Sequence, residues 1–87
     1  MHLLEYHTQF TNHLQAQGRA RATILAYGKD IEQLLEFLVQ ENVADIRAIT
    51  TDHIDAFKAS LKKLRYTPKS ISRKINSIKT FFRFLKA

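Results

Sequence analysis

The sequence has no cysteine, no tryptophan, one proline and two glycines in 87 residues. Without cysteine there are no disulfides and no cysteine-ligated zinc, and the composition suits a reducing compartment. So few helix breakers favour long helices over many short strands. No apolar run approaches the roughly 20 residues that cross a bilayer. Glu5, His7 and Gln9 interrupt any signal-peptide pattern at the N-terminus. We therefore expect a cytoplasmic protein with no membrane partner.

Catalytic equipment is also missing. Of the histidines His2, His7, His13 and His53, none pairs at the i, i+4 spacing of a helical metal site, and no H-E-x-x-H occurs. There is no nucleophile elbow and no glycine-rich phosphate loop. The carboxylates Glu5, Asp30, Glu32, Glu36, Glu41, Asp45, Asp52 and Asp55 mostly fall at outward or cap positions of the helices described below, which gives no acid–base pair. Tyr6 and Tyr27 read as core residues and Tyr66 as a turn residue. We expect no metal, no cofactor and no catalysis from this chain alone.

The last absence is of negative charge in one half of the chain. From Met1 to Val43 there are three Arg or Lys against five Asp or Glu; from Phe57 to Ala87 there are ten Arg or Lys and no acid. The net charge is +6. A single-signed half of a small protein suits a polyanionic partner, or a solvated basic face kept for solubility. What is present is otherwise globular. The hydrophobic share is 45 %, normal for a folded domain, and a chain of this length forms one domain with a modest core.

Apolar periodicity gives four helices. The first, about Leu3–Gln17, repeats Leu3, Tyr6, Phe10 and Leu14, with His7 beside them and Gly18 as a C-terminal stop. The second, about Thr23–Glu41, carries Ile24, Tyr27, Ile31, Leu34, Leu35 and Leu38, with its N-cap near Ala22 or Thr23. Gly28 falls inside it, at a cost of about 1 kcal/mol relative to alanine, and either admits a close backbone or is simply tolerated. In the connector 42–50, Val43, Ile46 and Ile49 should tuck under the domain. The third helix, about Thr51–Leu64, is capped by Thr50 or Thr51, has Asp52 and Asp55 at its positive end, and points Ile54, Phe57, Leu61 and Leu64 inward. The fourth, Pro68–Lys86, starts with Thr67 as cap and Pro68 at the first helical position. Its core stripe is Ile71, Ile75, Ile78, Phe82 and Leu85. Phe37 and Phe84 fit neither stripe; each should cover a neighbouring loop or helix, or else dock another domain. The expected fold is all-α, a compact orthogonal four-helix bundle.

Opposite the isoleucines of the fourth helix, Lys69, Arg73, Asn76, Thr80 and Arg83 repeat at 4-3-4-3 spacing, flanked by Ser70, Ser72, Lys74, Ser77 and Lys79. Cations attract phosphate, hydroxyls and amides donate to phosphate oxygens or base edges, and arginine contacts guanine at two points. No carboxylate interrupts this face. Contact with nucleic acid is the expectation it raises.

These residues resemble those of a known family. Thr23-Ile24-Leu25-Ala26-Tyr27, Asp30-Ile31, Leu34-Leu35 and Phe37-Leu38 resemble the second helix of the N-terminal core-binding domain of tyrosine recombinases and phage integrases of the Xer type. Ile49-Thr50 with Ile54 and Phe57 resembles the start of its third helix. Pro68-Lys69-Ser70-Ile71, Arg73-Lys74-Ile75, Ile78-Lys79 and Phe81-Phe82-Arg83-Phe84-Leu85 resemble its fourth. The likeness implies a SAM-like bundle forming half of a clamp around duplex DNA, for recombination or integration. It implies that the second and fourth helices cross the major groove, with Thr23, Leu25, Ala26 and Lys29 on one and Lys69, Ser70, Arg73 and Ser77 on the other. The helical face described above overlaps at Lys69 and Arg73 and adds Asn76 and Arg83. Ala20 stands where the family often has Ser or Thr, and Gly28 where it often has Arg. Both departures remove phosphate contacts, and Arg19 and Arg21 stand nearby to compensate. The family's catalytic domain lies C-terminal to this one and is absent here, so the chain is expected to be an excised domain or natural fragment. Its implied partners are duplex DNA, that catalytic domain and other recombinase protomers. The competing readings are a SAM-like protein-interaction module with a basic face, an RNA-binding helical domain and a stand-alone helix-turn-helix regulator.

Overall fold

A computed structural model describes residues 3–86; Met1, His2 and Ala87 lie outside the described residues. Four α-helices follow one another: α1 (Leu3–Ala16), α2 (Arg21–Gln40), α3 (Thr51–Lys63) and α4 (Pro68–Lys86), with a 3-10 turn at Ile46–Ala48. There is no strand among the described residues. The fold is the all-α four-helix bundle that the periodicity predicts.

Helices α1, α2 and α3 all end in the same motif. In each, one residue enters the left-handed region: Gly18 at φ 76°, Asn42 at φ 63° and Arg65 at φ 66°. The next amide then reaches back to the third-last helical carbonyl, as Arg19 N–H to Leu14 (3.2 Å), Val43 N–H to Leu38 (2.9 Å) and Tyr66 N–H to Leu61 (3.2 Å). Carbonyls that a helix end leaves unpaired are satisfied, and the chain reverses within a few residues. Only Gly18 was legible as such a stop, because Asn42 and Arg65 carry a Cβ that opposes the conformation.

The starts differ in their visibility. Thr50 caps α3 reciprocally with His53: His53 N–H donates to Thr50 Oγ1 at 3.4 Å and Thr50 N–H to His53 Nδ1 at 3.0 Å. This is a capping box with histidine in place of the usual Glu or Gln. Thr67 caps α4 through Ser70 N–H at 3.1 Å, with Pro68 at the first position as expected. Helix α2 begins two residues before the expected Thr23. Its N-cap is Ala20, which makes no side-chain cap bond, so no residue type advertises the start.

The core is a single cluster centred on α2. Phe10, Leu14, Ile31, Leu34, Leu35, Leu38, Leu61 and Phe81 are fully buried, with Leu3, Val43, Phe57 and Ile78 nearly so. Helix α2 packs mainly on α1 and α4. Gly28 is where α1 comes closest: a Cβ there would lie 3.2 Å from Thr11 Cγ2, and His7 Nε2 donates to the Gly28 carbonyl at 2.7 Å. The neighbours are side chains and not another backbone, and a Cβ here would require Thr11 to give by a few tenths of an ångström.

Two of the expected stripes need correction. Leu64 is 64 % exposed, because α3 stops at Lys63 and leaves Leu64 as its C-cap. On α4 the buried line is Lys74, Ser77, Ile78 and Phe81, while Ile71, Ile75, Phe82 and Leu85 pack half-buried along one side. Hydrophobic patterning turns polar positions outward, but here α2 supplies a buried polar partner that turns Lys74 and Ser77 in. Phe84 packs on α1, 5.5 Å from the Phe10 ring and 4.8 Å from His13, and Phe37 lies 5.3 Å from Phe57 of α3. Each covers a neighbouring helix.

Candidate nucleic-acid interface

The outward arc of α4 exposes Lys69, Ser72, Arg73, Asn76, Lys79 and Arg83. Ser70 and Thr80 are half-buried at its edges, and their hydroxyls are engaged locally: Ser70 Oγ accepts from Thr67 Oγ1 at 3.0 Å and Thr80 Oγ1 donates to the Asn76 carbonyl at 3.0 Å. No acid occurs anywhere along this helix. The first turns of α2 expose Arg21, Leu25 and Lys29, with Leu25 at 62 %, while Thr23 and Ala26 are half-buried. Farther along α2 the outward charge changes sign, with Glu32 and Glu36 exposed.

The two helices meet across an open groove of about 420 Å³ whose lining is mixed in charge: Lys29, Arg73 and Lys74 with Asp30, Glu32 and Glu36, beside Ala26, Gln33 and Tyr66. Ala26 and Lys29 on α2 and Arg73 on α4 are thereby brought onto one surface. On its other flank α4 forms a second groove with α3, where Lys58, Lys62 and Lys79 surround Asn76.

Ser77 does not belong to the exposed surface. It is fully buried, and its Oγ donates to Asp30 Oδ2 at 2.8 Å. Contrary to expectation, Ser77 is therefore not a DNA-facing contact: a hydroxyl with no exposure and a buried carboxylate as partner cannot reach an outside molecule. Asp30 is the residue that patterning misplaced. Expected at an outward position, it is 1 % exposed and accepts from three residues of α4. Besides Ser77, Lys74 Nζ lies 3.1 Å and Arg73 Nη2 3.0 Å from Oδ1. Lys74, expected to flank the exposed face, is 5 % exposed, with its ammonium 5.0 Å from the Tyr66 ring centroid. Tyr66 in turn accepts from Gln33 Nε2 at 3.3 Å, which ties the α3–α4 turn to α2. A buried carboxylate of this kind needs compensating donors, and among the described residues no buried side-chain nitrogen or oxygen lacks a partner.

The sequence carried one signal for Asp30. It follows Tyr27 by three residues and precedes Leu34 by four, so it shares a flank with inward residues. Nothing local, however, names partners 43 to 47 residues away.

Comparison with known proteins places this four-helix unit. The model of the phage integrase N-terminal SAM-like domain matches residues 8–87. The chain belongs to this family. The SAM-like domain is 34 % identical over 79 residues to the "Tyrosine recombinase XerC" of Herpetosiphon aurantiacus, covering 90 % of this chain and 26 % of that protein. It is 35 % identical over 77 residues to the XerC of Roseiflexus castenholzii, covering 87 % and 24 %. Against the "Tyrosine recombinase XerD" of Rickettsia bellii the figures are 30 % over 83 residues, covering 94 % and 27 %. No solved structure matches. The chain corresponds to the N-terminal domain of a tyrosine recombinase and spans about a quarter of the length of the curated relatives it matches. Among its described residues no group of three His, Asp or Glu is placed to hold a metal, and no helix is long and apolar enough to cross a membrane.

Proposed function

We propose that this SAM-like domain grips duplex DNA through α2 and α4, as the non-catalytic DNA-binding unit of a cytoplasmic site-specific recombinase or integrase. The strand-cutting chemistry then belongs to a catalytic domain in the rest of such a protein. That domain and other protomers on the same DNA are the remaining partners.

The observation that carries this reading is the acid-free outward arc of α4 standing across a groove from Lys29. Lys69, Arg73 and Arg83 supply the charge, and Asn76 supplies an amide able to read a base edge. From α2 the surface takes Arg21 and Lys29 as phosphate contacts, Leu25 and Ala26 as apolar contacts to sugar or a thymine methyl, and Thr23 and Ser70 as half-buried hydroxyl donors. The uncapped start of α2 adds amide N–H groups at the positive end of the helix dipole, which favour a phosphate. Glu32 and Glu36 confine a polyanion to the N-terminal half of α2.

The test is titration of a labelled duplex at several salt concentrations. With about four phosphates neutralised, log K should fall against log salt with a slope of roughly −3.6. Charge reversal at Arg73 should weaken binding more than reversal at Lys58, in the α3 groove. Equal losses would mark a diffuse basic surface, and no binding even at low salt would defeat the proposal. A stoichiometric protein complex formed without DNA would instead support an interaction module.

A further inference from the structure

We propose that Asp30 is a positioning residue for the interface, holding Arg73 by one guanidinium nitrogen so that its other donors face the DNA. This rests on the DNA-binding reading above and adds a buried residue that makes no contact with DNA itself.

The geometry divides the Asp30 carboxylate between two tasks. Lys74 and Ser77 meet it inside the protein, where Lys74 has 7 % of its side chain exposed. Arg73 meets it from outside: its Nη2 is 3.0 Å from Oδ1, yet 58 % of its side chain stays exposed. A guanidinium carries five N–H donors in a rigid plane. One nitrogen bound to a carboxylate fixed by two further residues restricts that plane and leaves the remaining donors available. Arginine loses much rotamer freedom when it is ordered at an interface, and that loss opposes binding. Ordering it beforehand removes that cost from binding.

Holding α2 to α4 does not by itself require this arrangement. Apolar residues of similar volume hold helices together as well as a buried ion pair, or better. Lys74 alone would also neutralise Asp30. The contact to a largely exposed arginine is the part that helix packing leaves unexplained, and among the described residues Arg73 is the one interface cation tied to the core.

The decisive experiment uses the 87-residue chain and a labelled mixed-sequence duplex at low salt. Asp30→Asn alone would strand Lys74 as a buried unpaired cation and risk unfolding. The paired variant Asp30→Leu/Lys74→Met removes both charges, leaves Arg73 no side-chain acceptor at position 30 and keeps the net charge at +6, while Ser77 Oγ still donates to the Arg73 carbonyl. We expect it to retain its helical circular dichroism and cooperative melt while binding the duplex several-fold to about tenfold more weakly, the scale of ordering one long side chain at an interface. Arg73→Ala should weaken the unmodified chain but add less than about twofold in the paired variant, because the two changes remove one interaction. A merely structural Asp30 would give equal Arg73→Ala losses in both backgrounds, and that result overturns the proposal, as does unchanged binding by the paired variant. A third variant, Arg73→Lys, leaves the core untouched. Lysine's three donors radiate from a single nitrogen on a flexible stem, with no rigid plane for Asp30 to orient, so most of the Arg73→Ala loss should persist; full rescue by lysine refutes the positioning role. Failure of the unmodified chain to bind any duplex would defeat the interface itself and Asp30's role with it. Normal binding by the paired variant would defeat only the role of Asp30.

Discussion

The two halves of α4 are held to the bundle by opposite kinds of chemistry. The first half is held by a polar clasp, in which Arg73, Lys74 and Ser77 converge on Asp30. The second half is held by aromatic packing. Phe81 meets Phe10 edge-on at 5.2 Å, Phe84 tilts over the same ring, and Phe82 leans on Phe81. Burial of apolar surface supplies energy with little directional preference, whereas hydrogen bonds to a fixed carboxylate specify angle and distance. Aromatic packing secures the far end of the helix, and the clasp sets the rotation of the end that carries Lys69, Arg73 and Asn76.

This contrast can be broken from either side. Phe81→Ala empties a fully buried site and should cost about 3–5 kcal/mol. A chain of this size holds roughly 4–13 kcal/mol in all, so urea denaturation should show a large drop in midpoint or no folded baseline. Asp30→Ala strands the Lys74 cation and should cost about 3 kcal/mol. The clasp differs from the aromatic half in how it can be rescued. Asp30→Leu/Lys74→Met should recover most of that stability, and a double variant as unstable as Asp30→Ala would show that the clasp supplies bulk energy after all. Smaller and opposite in sign, Arg65→Gly should raise stability by roughly 0.5–1 kcal/mol, read as a higher melting temperature, since glycine adopts φ 66° without steric cost. The smallest effect concerns Asp45. The Arg47 backbone N–H and then its guanidinium hold this carboxyl below its ordinary value of 3.8. Because the folded value is the lower one, its contribution is present above pH 3.8 and is lost as the pH falls through the folded value. Asp45→Asn should remove only this acid-side slope from a series of melts.

Much of the fold was legible in the sequence, and the exceptions share a cause. The boundaries of α4 were readable because Thr67 and Pro68 act locally, as were the stripes of α1 and α2 and the cap at Thr50. The start of α2 was hidden because Ala20 caps nothing. Asp30, Lys74 and Ser77 were turned the wrong way because their environment comes from a distant segment, and a polar residue reads as outward until its partner is known. The exposed face survived this error: Lys69, Arg73 and Asn76 lie on the arc expected of them, while Ser77 left it. Leu25, as exposed as any leucine here but one, stood out only through the family likeness.

Tyr66 sits where the clasp and the groove meet, with the Lys74 ammonium over its ring and its hydroxyl bound to Gln33. With no tryptophan in the chain, the protein is optically silent above the tyrosine band. An indole introduced by Tyr66→Trp would therefore be its only red-shifted emitter, placed at the seam between α2 and α4. Its fluorescence would report the opening of that seam and the arrival of a duplex in the same trace, with no label attached.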